Sequence, residues 1–110
     1  MAQSTRKVIN AIAKNLRDEV PPAFPVRIHQ VDFKDQREYG DASFHDAGSK
    51  SYFLIRLKRG MDPDLVLFVL VHEWAHCVGW SSVRQDYIED HDPEWGVAYA
   101  RCWKAVSGCP

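Results

Sequence analysis

Two histidines four residues apart, with a glutamate directly after the first, give this chain its best-defined chemistry: His72-Glu73-Trp74-Ala75-His76. Residues four apart lie on one face of a helix, so both imidazoles project the same way and can share one ion. Glu73 is rotated by about a quarter-turn from His72, where its carboxylate reaches a metal-bound water without ligating the metal. Zinc suits imidazole nitrogen and lowers the pKa of its water to about 7, after which a carboxylate can take the proton as the water attacks a carbonyl.

With five histidines and five glutamates in 110 residues, shuffled chains would produce the pattern by accident on the order of once in a hundred. Its setting sharpens it. Two histidines and a glutamate in the middle of an otherwise apolar segment are costly unless something pairs with them. The plain alternative is a core helix whose histidines are hydrogen-bonded.

A catalytic zinc takes three protein ligands and keeps one position open. The metzincin continuation HExxHxxGxxH is not met, because Gly79 is in place but Ser82 stands where the third histidine belongs. His91 is the leading candidate. It lies fifteen residues after His76 and just before Asp92-Pro93, where a turn can swing it back towards the ion. Glu94, at a separation like that of gluzincins, and Asp86 are the runners-up. The expected set is therefore one Zn2+ per chain held by His72, His76 and His91, with Glu73 as the catalytic base.

These residues need a helix to carry them, and the surrounding pattern supplies one. Asp62 can cap free amides, Pro63 suits a first turn, and Asp64 favours the positive helix end. The helix then runs through LVLFVLVHEWAHCV, apolar on nearly every side and so central, and stops at Gly79, which tolerates a left-handed cap. Asp92-Pro93 repeats the start device for a last helix with Trp95, Ala98, Tyr99, Cys102 and Val106 on one face, ending near Gly108. Upstream, Thr5 to Val20 is an amphipathic helix stopped by Pro21-Pro22. Between them lie three extended pieces: Phe24 to Phe33, Ala42 to His45 bracketed by the turn signals Gly40-Asp41 and Gly48-Ser49, and Tyr52 to Leu57. Strands in succession predict a small, mainly antiparallel three-stranded sheet. The expected class is α+β, in one domain spanning residues 1–110.

Hydrophobic residues make up 45% and charged residues 26% with a net charge of −1, so a globular core is expected and no charge-driven partner follows. A domain built mainly to neutralise phosphates would carry a basic excess. The longest apolar run, seven residues from Leu65 to Val71, is far too short to cross a bilayer. The opening MAQSTRKVIN carries charge but no continuous apolar stretch, so no secretory signal is expected there. Cys77, Cys102 and Cys109 form no CxxC pair and leave one over, which points to a reduced intracellular, cytoplasmic setting with the thiols as small apolar residues.

The paired segments, His72 to His76 and then Asp90-His91-Asp92-Pro93-Glu94-Trp95, resemble the SprT-like (Spartan-type) metalloprotease domain. That family has HExxH, a similar spacer, and a third histidine in an HGPEF-like segment opening the next helix. The resemblance covers roughly residues 40 to 106. It implies a zincin-like fold, His72, His76 and His91 as ligands, Glu73 as base, and protein or peptide substrates. Through the larger relatives it also implies association with DNA. Asp92 stands where the family usually has Gly. The zinc ribbon and recruiting tails of the larger relatives are not seen, so the chain reads as the bare catalytic core.

A metallopeptidase is thus the leading reading, ahead of a non-peptidase zinc amide hydrolase and a non-enzymatic, metal-stabilised interaction protein. Retention of Glu73 argues against the last, since a structural site needs no base and is normally closed by a fourth ligand. His29 and His45, on extended segments, read as surface histidines. Tyr52, Tyr87 and Tyr99 are candidate oxyanion donors, Trp74, Trp80, Trp95 and Trp103 read as core and cleft wall, and Asp90 or Asp92 could orient a ligand imidazole.

Overall fold

An apolar stripe on the first helix and alternating apolar residues on the strands must bury against a common partner, and the apolar HExxH helix is that partner. The computed structural model describes residues 5–46, 48–80 and 93–107. In chain order these form α1 (Thr5–Glu19), β1 (Val26–Val31), β2 (Gly40–His45), β3 (Tyr52–Lys58), α2 (Pro63–Val78) and α3 (Pro93–Ser107). The class is α+β. Ile9, Ala13 and Leu16 of α1 join Val66, Leu70, Val71 and Trp74 of α2, Ala98 and Cys102 of α3, and Phe53, Ile55 and Leu57 of β3 in one buried cluster. Trp74 is fully buried, and its indole Nε1 donates to the Val20 carbonyl at 2.9 Å, tying α2 to the end of α1.

The sheet corrects the expectation of a mainly antiparallel arrangement. Its order is β1-β3-β2, with β3 antiparallel to β2 but parallel to β1. The most apolar strand takes the centre, where both its edges are paired, and the more polar strands take the outside. To allow this, residues 32–39 cross the end of β3, held there by Lys58 N donating to Tyr39 O and Arg59 N to Val31 O. The register aligns Val26 with Phe53 and Ile28 with Ile55 on one side, and Phe44 with Phe53 and Ala42 with Ile55 on the other. One face is therefore apolar and covered by helices. The opposite face carries Arg27, His29, Asp41, His45, Tyr52 and Arg56, with Arg56 ion-paired to Asp41.

The two sheet edges differ. In β1 the carbonyls of Val26, Ile28 and Gln30 face away from β3, and guanidinium groups meet each of them. Arg17 Nη2 donates to Val26 O, Arg6 Nη2 to Ile28 O and Arg59 Nε to Gln30 O, each at 3.2 Å. An edge dressed this way is a poor template for a further strand. The β2 edge pairs with no strand among the described residues.

Helix α2 starts as the sequence predicts: Asp62 is the N-cap, accepting from Leu65 N at 2.9 Å, with Pro63 in the first turn. Its end differs in detail. Gly79 has φ −81° and ψ −1°, a right-handed conformation open to any residue, so the left-handed cap is not the reason for glycine. The reason is proximity. A Cβ at position 79 would lie 3.3 Å from the backbone of Glu94 and Trp95, so the bare glycine lets the start of α3 press against the end of α2. A second close approach lies at Gly40, read from sequence as part of a turn but found as the first residue of β2. A Cβ there would meet Val69 Cγ1 at 2.5 Å and Arg56 O at 3.1 Å. These two contacts set how closely β2 and α3 flank α2.

Cys77 and Cys102 are buried and free, as small apolar residues should be; Cys109 lies outside the described residues. Burial pushes the Cys102 thiol up to about 12 against a small opposing pull from Arg101, and burial also raises Cys77. Because the folded pKa of Cys102 exceeds its ordinary 9.0, its contribution to stability is intact below pH 9.0 and is lost as pH rises towards 12. In native protein at pH 8, labelling with iodoacetamide followed by mass spectrometry should leave Cys77 and Cys102 unmodified, with both reacting after denaturation.

Gly40→Ala should destabilise the fold by about 1–3 kcal/mol in urea titration through overpacking. Adding Val69→Ala should recover part of that loss, since the 2.5 Å clash disappears while the Arg56 carbonyl remains. Equal loss with and without the second change would show that the approach of β2 to α2 is not the constraint.

Candidate metal centre

The HExxH residues occupy the last turns of α2, where it crosses the inner face of β2 and β3. The i, i+4 spacing does what the sequence predicts: His72 Nε2 and His76 Nε2 converge to 3.2 Å. Two imidazoles on one tetrahedral zinc, with bonds of about 2.0–2.1 Å, place their nitrogens about 3.3 Å apart. The separation of the two nitrogens is therefore the one that a shared tetrahedral zinc would require. The same 3.2 Å also suits one N–H···N hydrogen bond between the two rings.

Burial grades along the motif. His76 is 5% exposed and Glu73 8%, while His72 is half-buried and reaches the surface. The carboxyl-bearing arm of Glu73 runs beside Gly40, whose ideal Cβ position is 3.5 Å from Glu73 Cγ. Next along α2, Trp74 and Ala75 turn into the core, so the chemical residues and the packing residues alternate within one helical turn. Cys77 also faces the core, pointing away from His76.

Trp95, in the first turn of α3, roofs the histidine pair. Its ring centroid is 5.2 Å from His72 and 5.5 Å from His76, and its Nε1 donates to the His72 carbonyl at 3.3 Å. Tyr99 stacks on Trp95 at 4.6 Å and lies 6.3 Å from the His72 ring. The close packing allowed by Gly79 is what brings Trp95 here. An open cleft of about 420 Å3 lies in front of His72 and Glu73, bounded by Arg37 to Gly40 on one side and Phe68, Val69 and Tyr99 on the other.

The other predicted residues sort cleanly. His91, Asp86, Asp90, Asp92 and Tyr87 lie outside the described residues. Glu94 is exposed and lines a different hollow, beside Val78, Gly79 and Trp80, rather than the His72 cleft. Among the described residues, no group of three or more His, Cys, Asp or Glu side chains is arranged to hold an ion. His29 and His45 are on the far face of the sheet, where His45 bonds Ser43 Oγ at 2.9 Å and stacks on Tyr52 at 5.0 Å. That removes Tyr52 from the cleft as well and leaves Tyr99 as the described tyrosine from the sequence set beside the histidines. Trp74 is core, Trp95 is cleft wall, Trp103 packs on Phe68 and Tyr99, and Trp80 stacks on Phe44 at 4.4 Å.

Sequence reasoning missed Gly40, Tyr39 and Phe68 as cleft residues. Phe68 sits in a helix apolar all round, so no periodicity marks the one aromatic that faces out. No helix among the described residues is long and apolar enough to cross a membrane. No protein-family model, no curated protein and no solved structure matches this chain.

Proposed function

We propose that this protein is a zinc-dependent metallopeptidase with a zincin-like catalytic core of the SprT-like kind, acting on protein or peptide substrates. The observation that carries the reading is the convergence of His72 Nε2 and His76 Nε2 to 3.2 Å beside a glutamate that lines an open cleft. Support for His91 as third ligand comes from the start of α3. The helix begins at Pro93, two residues after His91, and its first turn already touches both imidazoles through Trp95. Asp90 or Asp92 is then in sequence position to accept from a ligand imidazole and fix its tautomer.

A zinc ion held by His72, His76 and His91 would supply Lewis acidity towards a water and a substrate carbonyl. The rest falls to the chain. Glu73 takes the proton as the carbonyl is attacked and delivers it to the departing amine, a general-base and general-acid role for one carboxylate. Its low exposure keeps bulk water from competing for that proton. Tyr99, whose ring lies at the cleft wall, would donate its hydroxyl to the developing oxyanion. The peptide itself has a natural rail. In the β2–β3 ladder Asp41, Ser43 and His45 face their partners, which leaves the N–H and C=O groups of Gly40, Ala42 and Phe44 on the open edge. An extended substrate can add there as a fourth strand, running past Glu73. This edge, absent on the arginine-sealed side of the sheet, favours peptide over small-amide substrates.

Glu73→Gln should lower peptide hydrolysis by about 100- to 10,000-fold, the usual worth of a positioned base, while zinc content and the circular dichroism spectrum stay as in wild type. Hydrolysis of casein-derived peptides that persists at the wild-type rate in Glu73→Gln would remove the assigned base and with it the mechanism.

A further inference from the structure

The cleft in front of Glu73 has a composition that the catalytic reading does not require. Three large hydrophobic side chains are notably exposed among the described residues: Tyr39 at 44%, Phe68 at 57% and Val97 at 64%. Two of the three, Tyr39 and Phe68, come from distant parts of the chain and line this same cleft, with Val69 and Tyr99 between them. Leaving apolar area in water costs about 25 cal/mol per Å2, so two aromatics facing one hollow mark a place where something apolar is meant to cover them.

Both aromatics are held in place. Lys58 Nζ lies 5.0 Å above the Tyr39 ring, and the Lys58 ammonium is itself anchored by donating to Gln36 O at 3.0 Å. Phe68 packs edge-on against Trp103 at 5.2 Å, and Trp103 leans on Tyr99. At the rim, Arg37 and Glu38 carry opposite charges, and Arg37 is occupied by Asp35 through Nε at 3.2 Å. Counting Lys58 over Tyr39, the two cations and two carboxylates around the rim (Arg37, Lys58, Asp35 and Glu38) cancel, and Glu73 is the acid that faces the cleft from α2. Gly40 belongs to both features: it lines the cleft, and its outward main-chain groups sit on the open β2 edge. A peptide bonded to that edge aims alternate side chains towards the helix layer, and Gly40, which lines the hollow, is one of the edge residues it would run beside.

We propose that the Tyr39–Phe68–Tyr99 hollow is a specificity pocket that admits a bulky, uncharged apolar side chain of the substrate, aromatic or leucine-like, next to the bond cleaved. This rests on the peptidase reading for its biological use but not for its physical test. The pocket binds the side chain by burying the exposed faces of Tyr39 and Phe68, and it excludes acidic and basic side chains by the desolvation they would suffer.

Two measurements on the full chain separate the pocket from the chemistry. In the first, N-acetyl-phenylalaninamide, N-acetyl-leucinamide and N-acetyl-glycinamide are titrated into labelled protein while backbone amide shifts are followed by NMR. The phenylalanine and leucine probes should move the amides of Gly40, Val69 and Tyr99, the glycine probe should not, and Phe68→Ser should abolish the response. Phe68 is more than half exposed, so that variant should fold, and the spectrum itself reports whether it does. In the second, wild-type protein digests a peptide mixture whose cleavage sites are read by mass spectrometry. Bonds flanked by a bulky apolar residue should be preferred over glycine-flanked ones by about tenfold or more, and Phe68→Ser should erase the preference. Shifts without any cleavage would uphold the pocket and sink the peptidase. Cleavage with no apolar preference, or probes that leave those amides unmoved, would overturn the pocket whatever the enzyme does.

Discussion

Helix α2 has to be two things within the same sixteen residues, the centre of the hydrophobic core and the carrier of a polar site, and the rest of the structure is arranged around that conflict. Trp74 and Ala75 are sealed from water while Glu73 and His76, their immediate neighbours, keep only 8% and 5% exposure. Polar groups that deep are tolerated only with partners. The two imidazoles meet each other at 3.2 Å, and Trp95 lies against both rings. Two glycines make the enclosure possible. Gly79 lets α3 close down with Trp95, and Gly40 lets β2 slide against Val69 beside Glu73. Replacing either with a larger residue would move a wall around the histidine pair rather than the histidines themselves.

The sheet distributes risk and use between its edges. On β1, Arg6, Arg17 and Arg59 occupy the outward carbonyls, which satisfies them and denies pairing to another chain. On β2, where the cleft opens, Gly40, Ala42 and Phe44 keep their main-chain groups outward. A three-stranded sheet has two edges to protect, and here protection is placed where it does not obstruct the histidines. The mixed topology follows the same logic: with β3 central, the crossing segment 32–39 ends at the cleft mouth and delivers Tyr39 there.

Much of this was legible in the sequence because it depends on local spacing. The HExxH face, the Asp62-Pro63 start and the strand at Tyr52 need only the helical and extended periods. What was not legible depends on contacts between distant segments. The parallel pairing of β1 with β3 could not be told from a meander, because strand order follows which strand has the most apolar inner face, not succession. Gly79 invited a left-handed cap, yet its glycine answers to the backbone of Glu94 across the α2–α3 contact. Gly40-Asp41 reads as a turn in any window of a few residues, and only the packing of Val69 shows why the strand must begin with glycine. His29 and His45, by contrast, read from the sequence as surface histidines, and strand alternation does put them on the face away from the cleft.

The claim on which everything functional stands is that the histidine pair, completed by His91, holds zinc. Elemental mass spectrometry of the purified protein, beside His76→Ala and His91→Ala, tests it most directly. The account predicts one zinc per chain in wild type and a strong reduction in both variants with the fold retained. Folded wild-type protein that takes up no metal after zinc reconstitution would contradict it, leaving the 3.2 Å histidine contact as a hydrogen bond in the core and nothing more.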